Sequence, residues 1–94
     1  MDRDEMRRRV ATARDGTLAT AGPGGRPHIV PFVFALKGDT LYWTVDHKPK
    51  RTQELQRLRN IRRDPRVAVL IDTYTDDWPG LWWVRMDGTA RIVD

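Results

Sequence analysis

The sequence predicts a mostly antiparallel β fold, a sheet or small barrel crossed by a single helix. Three observations carry this. Period-two runs rich in β-branched and aromatic residues outnumber helical patterns along the chain. Most of these runs are joined by short turns rather than by crossover helices. The 94 residues also leave room for one small domain only. A chain of this size buries about two-thirds of its unfolded surface, so a lone copy is marginally stable.

The elements follow in order. Asp2 to Ala13 reads as a short helix: Asp2 and Glu5 resemble a capping pair, Met6, Val10 and Ala13 share a face, and Gly16 ends it. Thr17–Ala21 is a short strand, and Gly22-Pro23-Gly24-Gly25 is a turn. Pro27–Leu36 reads as one long strand. Pro31 within it has no N–H for a ladder, which places the strand at an edge or at a bulge. Lys37-Gly38-Asp39 turns the chain into Leu41–Val45, with Leu41, Trp43 and Val45 on one face and Tyr42 and Thr44 on the other.

Asp46–Lys50 is a polar loop. Arg51–Arg63 is the strongest helical pattern, with Thr52 as its N-cap and a narrow stripe of Leu55, Leu58 and Ile61. Asp64-Pro65 stops it, because the residue before proline avoids the helical region. Arg66–Asp72 is a strand whose VAVLI run suggests burial on both faces. A loop over Thr73–Gly80 leads to the strand Leu81–Met86. Asp87-Gly88 is either a two-residue hairpin turn or a bulge in one long strand ending near Val93. In that strand Trp82 and Trp83 point to opposite faces, so one of them meets solvent, a partner chain or a ligand.

Composition narrows the function. The chain is 39% apolar with four Trp, which excludes a disordered tail, and no apolar run is long enough to span a membrane. Cys is absent and the two histidines, His28 and His47, lie far apart, so no metal site is expected. Neither histidine has a Ser or Cys at triad spacing, and the adjacent Asp76 and Asp77 would point apart in an extended segment. No side chain therefore stands out as a catalytic acid, base or nucleophile. An enzyme built on this chain needs a cofactor for the hard chemistry. The start, MDRDEMRRR, has no apolar stretch behind its charges, and a cytoplasmic location is expected.

The net charge is +4 and favours anionic partners. It is concentrated: Lys48 to Arg66 holds eight basic residues against two acidic ones, a local charge of +6. Lys48, Lys50 and Arg51 sit where a strand gives way to the helix beginning at Thr52. Free N–H groups and the positive end of the helix dipole add to them there. Arg57 lies one to two turns further on. This is a candidate phosphate seat, and its plain alternative is a solvated basic helix start. The glycines Gly22, Gly24 and Gly25 fall between strands and match no nucleotide loop. The Trp residues and Tyr42 suit either stacking on a planar ligand or a core or interface role.

At the level of whole motifs, TLATAGPGGRPHIVPFVFAL followed by GDTLYWTV resembles the split β-barrel flavin and deazaflavin oxidoreductases, the pyridoxamine-phosphate-oxidase-like proteins. DHKPKRTQELQRLRNIRRDPRVAVLID and DDWPGLWWVRMDGTARIVD are similar to the actinobacterial branch associated with the deazaflavin coenzyme F420. The resemblance covers residues 6–94. It implies a split barrel that forms a homodimer with the cofactor in a groove between chains. It also implies hydride transfer to a small electron-poor substrate. By the same matching, Lys48, Lys50, Arg51 and Thr52 hold the phosphate side of the cofactor, and Arg57 takes the place of a basic residue near that helix. The ring lies near Val30, Pro31, Phe32, Thr44 and Val45. Family members continue into a further strand and a C-terminal helix that residues 1–94 do not include.

F420 is the expected cofactor, since its polyanionic tail suits a long basic run; FMN is the alternative. A nucleic-acid-binding module is the competing non-enzymatic reading. It is disfavoured because the aromatics are not interleaved with the basic residues and no reading motif is present.

Overall fold

The computed structural model describes residues 1–44 and 52–93, with the side chains of Thr52 to Leu55 outside that description. Helix α1 (Arg3–Thr12) is followed by β1 (Asp15–Ala21), a 3-10 turn at Pro23–Gly25 and β2 (Pro27–Val33). β3 (Ala35–Lys37) and β4 (Thr40–Tyr42) form a hairpin. Helix α2 (Thr52–Arg63), β5 (Arg66–Thr73), a 3-10 turn at Trp78–Gly80 and β6 (Trp82–Thr89) complete the described chain. β2, β1, β5 and β6 lie in that order in one antiparallel sheet, and β3–β4 is a separate two-stranded ribbon. The expected mostly antiparallel architecture is the observed one.

The inward face of the sheet makes the core. Leu18 of β1, Val30 and Phe32 of β2, Val69 and Ile71 of β5 and Val84 of β6 are buried together with Val10 of α1 and Phe34. The expected face of α1 is the one it buries, since Met6 and Ala13 pack against the same cluster. Asp2 caps this helix, its Oδ1 accepting from the Glu5 N–H at 2.8 Å. Glu5 instead turns its carboxylate to Arg9, whose guanidinium lies 4.7 Å from the Trp82 ring centroid. Trp82 thus packs toward the core while Trp83 is 63% exposed, the opposed arrangement the strand period requires.

Several expectations are corrected by pairing that only the folded chain provides. Gly16 does not end α1, which is capped by Ala13; it lies in β1, where a Cβ would come within 2.9 Å of the Leu70 carbonyl oxygen. The long strand Pro27–Leu36 is interrupted at Phe34, whose N–H donates to the Arg14 carbonyl (3.0 Å), and the next residues pair with β4 instead. Thr52 is the first helical residue of α2 rather than its cap. β5 buries one face only: Val69 and Ile71 point inward, while Leu70 is 38% exposed. Asp87-Gly88 is neither hairpin nor bulge, because β6 pairs with β5 without interruption from Trp82 to Thr89. No helix among the described residues is long and apolar enough to cross a membrane.

The helix stop at Asp64-Pro65 has a specific anchor. Asp64 accepts from the Arg66 backbone N–H (3.2 Å), Nε (3.0 Å) and a terminal guanidinium nitrogen (2.8 Å), which ties the end of α2 to the start of β5. These donors hold the Asp64 carboxyl down at about 2. A depressed carboxylate favours the folded state above its unfolded pKa and loses that contribution as pH falls toward the folded value. The Asp64 carboxyl resonance should therefore titrate near pH 2 in an NMR experiment, and Asp64→Asn should flatten the acid limb of the stability curve. A midpoint near 4 would remove the Arg66 interaction from the account. Gly16→Ala should lower stability by about 1–3 kcal/mol in thermal unfolding, since the obstacle is backbone and cannot swing aside.

Candidate functional site

Among the described residues β2 is an edge strand with only β1 beside it, the position in which Pro31 is tolerated. Alternation along it sends Val30 and Phe32 into the core and leaves Ile29, Pro31 and Val33 on the outer face. After Val33 the chain leaves the sheet, and the β3–β4 hairpin comes back past the edge. Gly38, at φ 63°, makes the reversal. Arg7 of α1 holds this hairpin by donating to the Gly38 carbonyl (2.9 Å) and pairing with Asp39, whose carboxyl it keeps below the usual range.

Between the β2 edge, the hairpin and α2 lies a cavity of about 560 Å³. One wall is Pro31, Phe32 and Val33, continued by Phe34 and Ala35. The hairpin side supplies Tyr42, Trp43 and Thr44, and α2 supplies Arg57. The aromatic rings brace one another: Phe32 lies 5.2 Å from Phe34, and Trp43 meets Phe32 edge-on at 5.4 Å. Arg57 is only 6% exposed. Its guanidinium is the charged group among the described lining residues. Pro31, Val33, Ala35, Tyr42 and Thr44 are exposed, so the cavity is open on that side.

The volume falls in the range of small-molecule and cofactor sites. Apolar, partly aromatic walls with one buried cation suit a planar ring that carries or adjoins an anion. Among the described residues no group of three or more His, Cys, Asp or Glu side chains is placed to hold a metal.

Of the residues proposed from sequence, Pro31, Phe32, Thr44 and Arg57 line this one cavity. Val30 does not; its inward orientation places it in the core at 7% exposure. Thr52 begins α2. Val45, Lys48, Lys50 and Arg51 lie outside the described residues. Val33, Phe34, Ala35, Tyr42 and Trp43 also line the cavity, and of these Tyr42 and Trp43 carried a sequence signal, as aromatics able to stack.

A second feature was not anticipated. Asn60 of α2 is fully buried and donates from Nδ2 to the Thr20 hydroxyl of β1 at 2.9 Å. Its Oδ1 accepts from Gln56 (2.8 Å) and from Arg63 (3.4 Å), and Arg63 also donates to the Ala21 carbonyl (2.9 Å). The face α2 turns to the sheet is thus partly polar, with Arg57, Asn60 and Ile61 buried and Leu58 half-buried.

Residues 2–94 match the family model described as pyridoxamine 5'-phosphate oxidase. The chain belongs to the pyridoxamine 5'-phosphate oxidase family. Among solved structures this family member is similar to a conserved hypothetical protein from Mycobacterium tuberculosis. That match has 34% identity and a TM-score of 0.80, over 100% of this chain and 54% of the other. An FAD-binding protein from Mesorhizobium loti is similar at 27% identity and a TM-score of 0.71, over 95% of this chain and 58% of the other. HutZ, a heme storage protein from Vibrio cholerae, shares the fold at 17% identity and a TM-score of 0.72, over 98% and 63% of the two chains. None of the curated proteins matches. The chain spans between 54% and 63% of the length of these three structures. The family and its structural neighbours agree with the split-barrel fold that the motifs implied.

Proposed function

We propose that this family member binds the deazaflavin coenzyme F420 and serves as an oxidoreductase toward a small electron-poor molecule. The observation that carries the reading is the cavity at the β2 edge, where aromatic walls and the buried Arg57 lie beside the start of α2. The basic residues Lys48, Lys50 and Arg51 immediately precede that helix in sequence. In this reading the cavity takes the ring and the helix start takes the tail. A polyanionic tail needs several cations, and a local charge of +6 over residues 48–66 supplies them.

When bound, such a coenzyme supplies a hydride, and the acceptor completes its reduction with a proton from solvent. The chain's own part is to hold the ring against Phe32 and Thr44, to set an arginine beside it and to keep water from its buried side. FMN is the second reading, favoured by the FAD-binding relative from Mesorhizobium loti and requiring the same cavity with a shorter anionic tail.

The reading extends to a homodimer. Pro31 and Val33 belong both to the open side of the cavity and to the outer face of the sheet, where Ile29 (64% exposed), Val33 (71%), Leu70 and Trp83 stand in apolar array. A second copy on that face would cover the apolar side chains and close the cavity together.

Titration with F420, followed by its fluorescence, should show binding at micromolar concentration, and Lys50→Ala and Arg51→Ala should each weaken it by about 1–3 kcal/mol. Tighter binding of FMN than of F420 would select the second reading, and binding of neither would end both. Light scattering should give the mass of two chains, and Leu70→Glu should give one. A wild-type monomer at high micromolar concentration would remove the dimer.

A further inference from the structure

Asn60 is the most completely buried polar side chain among the described residues of α2, and it sits one turn after Arg57 on the same helical face. Among the described side chains of this helix, the apolar ones turned inward are Ile61 and the half-buried Leu58. Such contacts are non-directional and tolerate rotation of the helix about its axis. The Asn60–Thr20 hydrogen bond does not, because it fixes a donor on α2 against an acceptor on β1 at 2.9 Å. A buried amide is also an expensive way to fill a core position unless its geometry is used.

Thr20 lies on the strand that pairs with β2, opposite His28 and one inward position from the pair Leu18–Val30. The bond therefore links the two elements that form facing walls of the cavity, α2 with Arg57 and the β1–β2 pair with Pro31 and Phe32. We propose that Asn60, through Thr20, is a positioning residue: it sets the rotation of α2 that presents Arg57 to the cavity. Gln56 and Arg63 orient the Asn60 amide by occupying its oxygen, so that its nitrogen faces Thr20. The consequence for binding rests on the coenzyme reading above, whereas the consequence for Arg57 does not.

The test removes both partners at once. The double variant Thr20→Val with Asn60→Leu keeps shape and removes the buried donor and acceptor of this bond together. The half-buried Gln56 amide and the exposed Arg63 lose Asn60 as acceptor but reach water, so the Tm should fall by only a few degrees. Two readouts follow. The first is modification of Arg57 by phenylglyoxal, quantified by peptide mass mapping on the ligand-free protein; the variant should react about fivefold faster or more, as a local opening would allow. The second is the dissociation constant for F420, which should rise about tenfold if a charge-assisted contact is misplaced. Thr20→Ser keeps the hydroxyl and should behave as wild type in both.

If the double variant does not fold, Thr20→Val alone takes the same two readouts below its Tm. Arg57 protection equal to wild type would overturn the proposal whatever the coenzyme does. Faster modification with no F420 binding even by wild type would uphold the positioning role and reject the coenzyme instead.

Discussion

A strand with proline in its middle keeps one side free of a neighbour, and the candidate site follows from that. Pro31 sits in β2, whose single sheet partner among the described residues is β1. At Phe34 the backbone makes its last bond toward β1's side of the sheet and turns off into a short ribbon. That ribbon is a separate two-stranded sheet not paired with β2, pinned to α1 through Arg7. The gap between edge and ribbon is lined by whatever alternation and the turn have brought there: Phe32 and Phe34 from inside, Pro31 and Val33 from outside, Trp43 from the ribbon. Helix α2 closes one end with Arg57.

Much of this organisation was legible because it is local. The 3.6-residue spacing of Met6 and Val10, the Asp2 cap, the Gly38 turn and the Asp64-Pro65 stop are written in a few adjacent residues each. Pro31 narrowed β2 to an edge or a bulge for the same reason, since a missing N–H is a property of one residue, and the sheet order decides for the edge. What depends on distant partners was not. The break at Phe34 arises because Ala35–Lys37 finds a better partner in Thr40–Tyr42. Gly88 reads as a turn or bulge alone but lies opposite Val67 in an unbroken ladder.

The site was legible in part for a related reason. Pro31, Phe32, Thr44 and Arg57, which the motif resemblance places near a cofactor, line one cavity, while Val30, one position away from Pro31, points into the core by simple alternation. Helix α2 shows the limit of a stripe argument. Leu55, Leu58 and Ile61 mark an apolar line in the sequence, yet the described buried residues of the helix are Arg57, Asn60 and Ile61, because Asn60 meets Thr20 of β1 and Arg57 lines the cavity. A fold alone does not settle chemistry. Here the family gives the fold, and the proposed coenzyme with a long anionic tail rests on the run of basic residues that precedes α2 in sequence.

The claim on which the account turns is that the space beside the β2 edge receives the coenzyme ring. A crystal structure of the protein with F420 addresses it most directly. The account predicts the ring against Pro31 and Phe32, flanked by Thr44, with the anionic tail running toward the start of α2 and Arg57 beside it. A ring bound away from that edge, or a tail that leads away from α2, would contradict it.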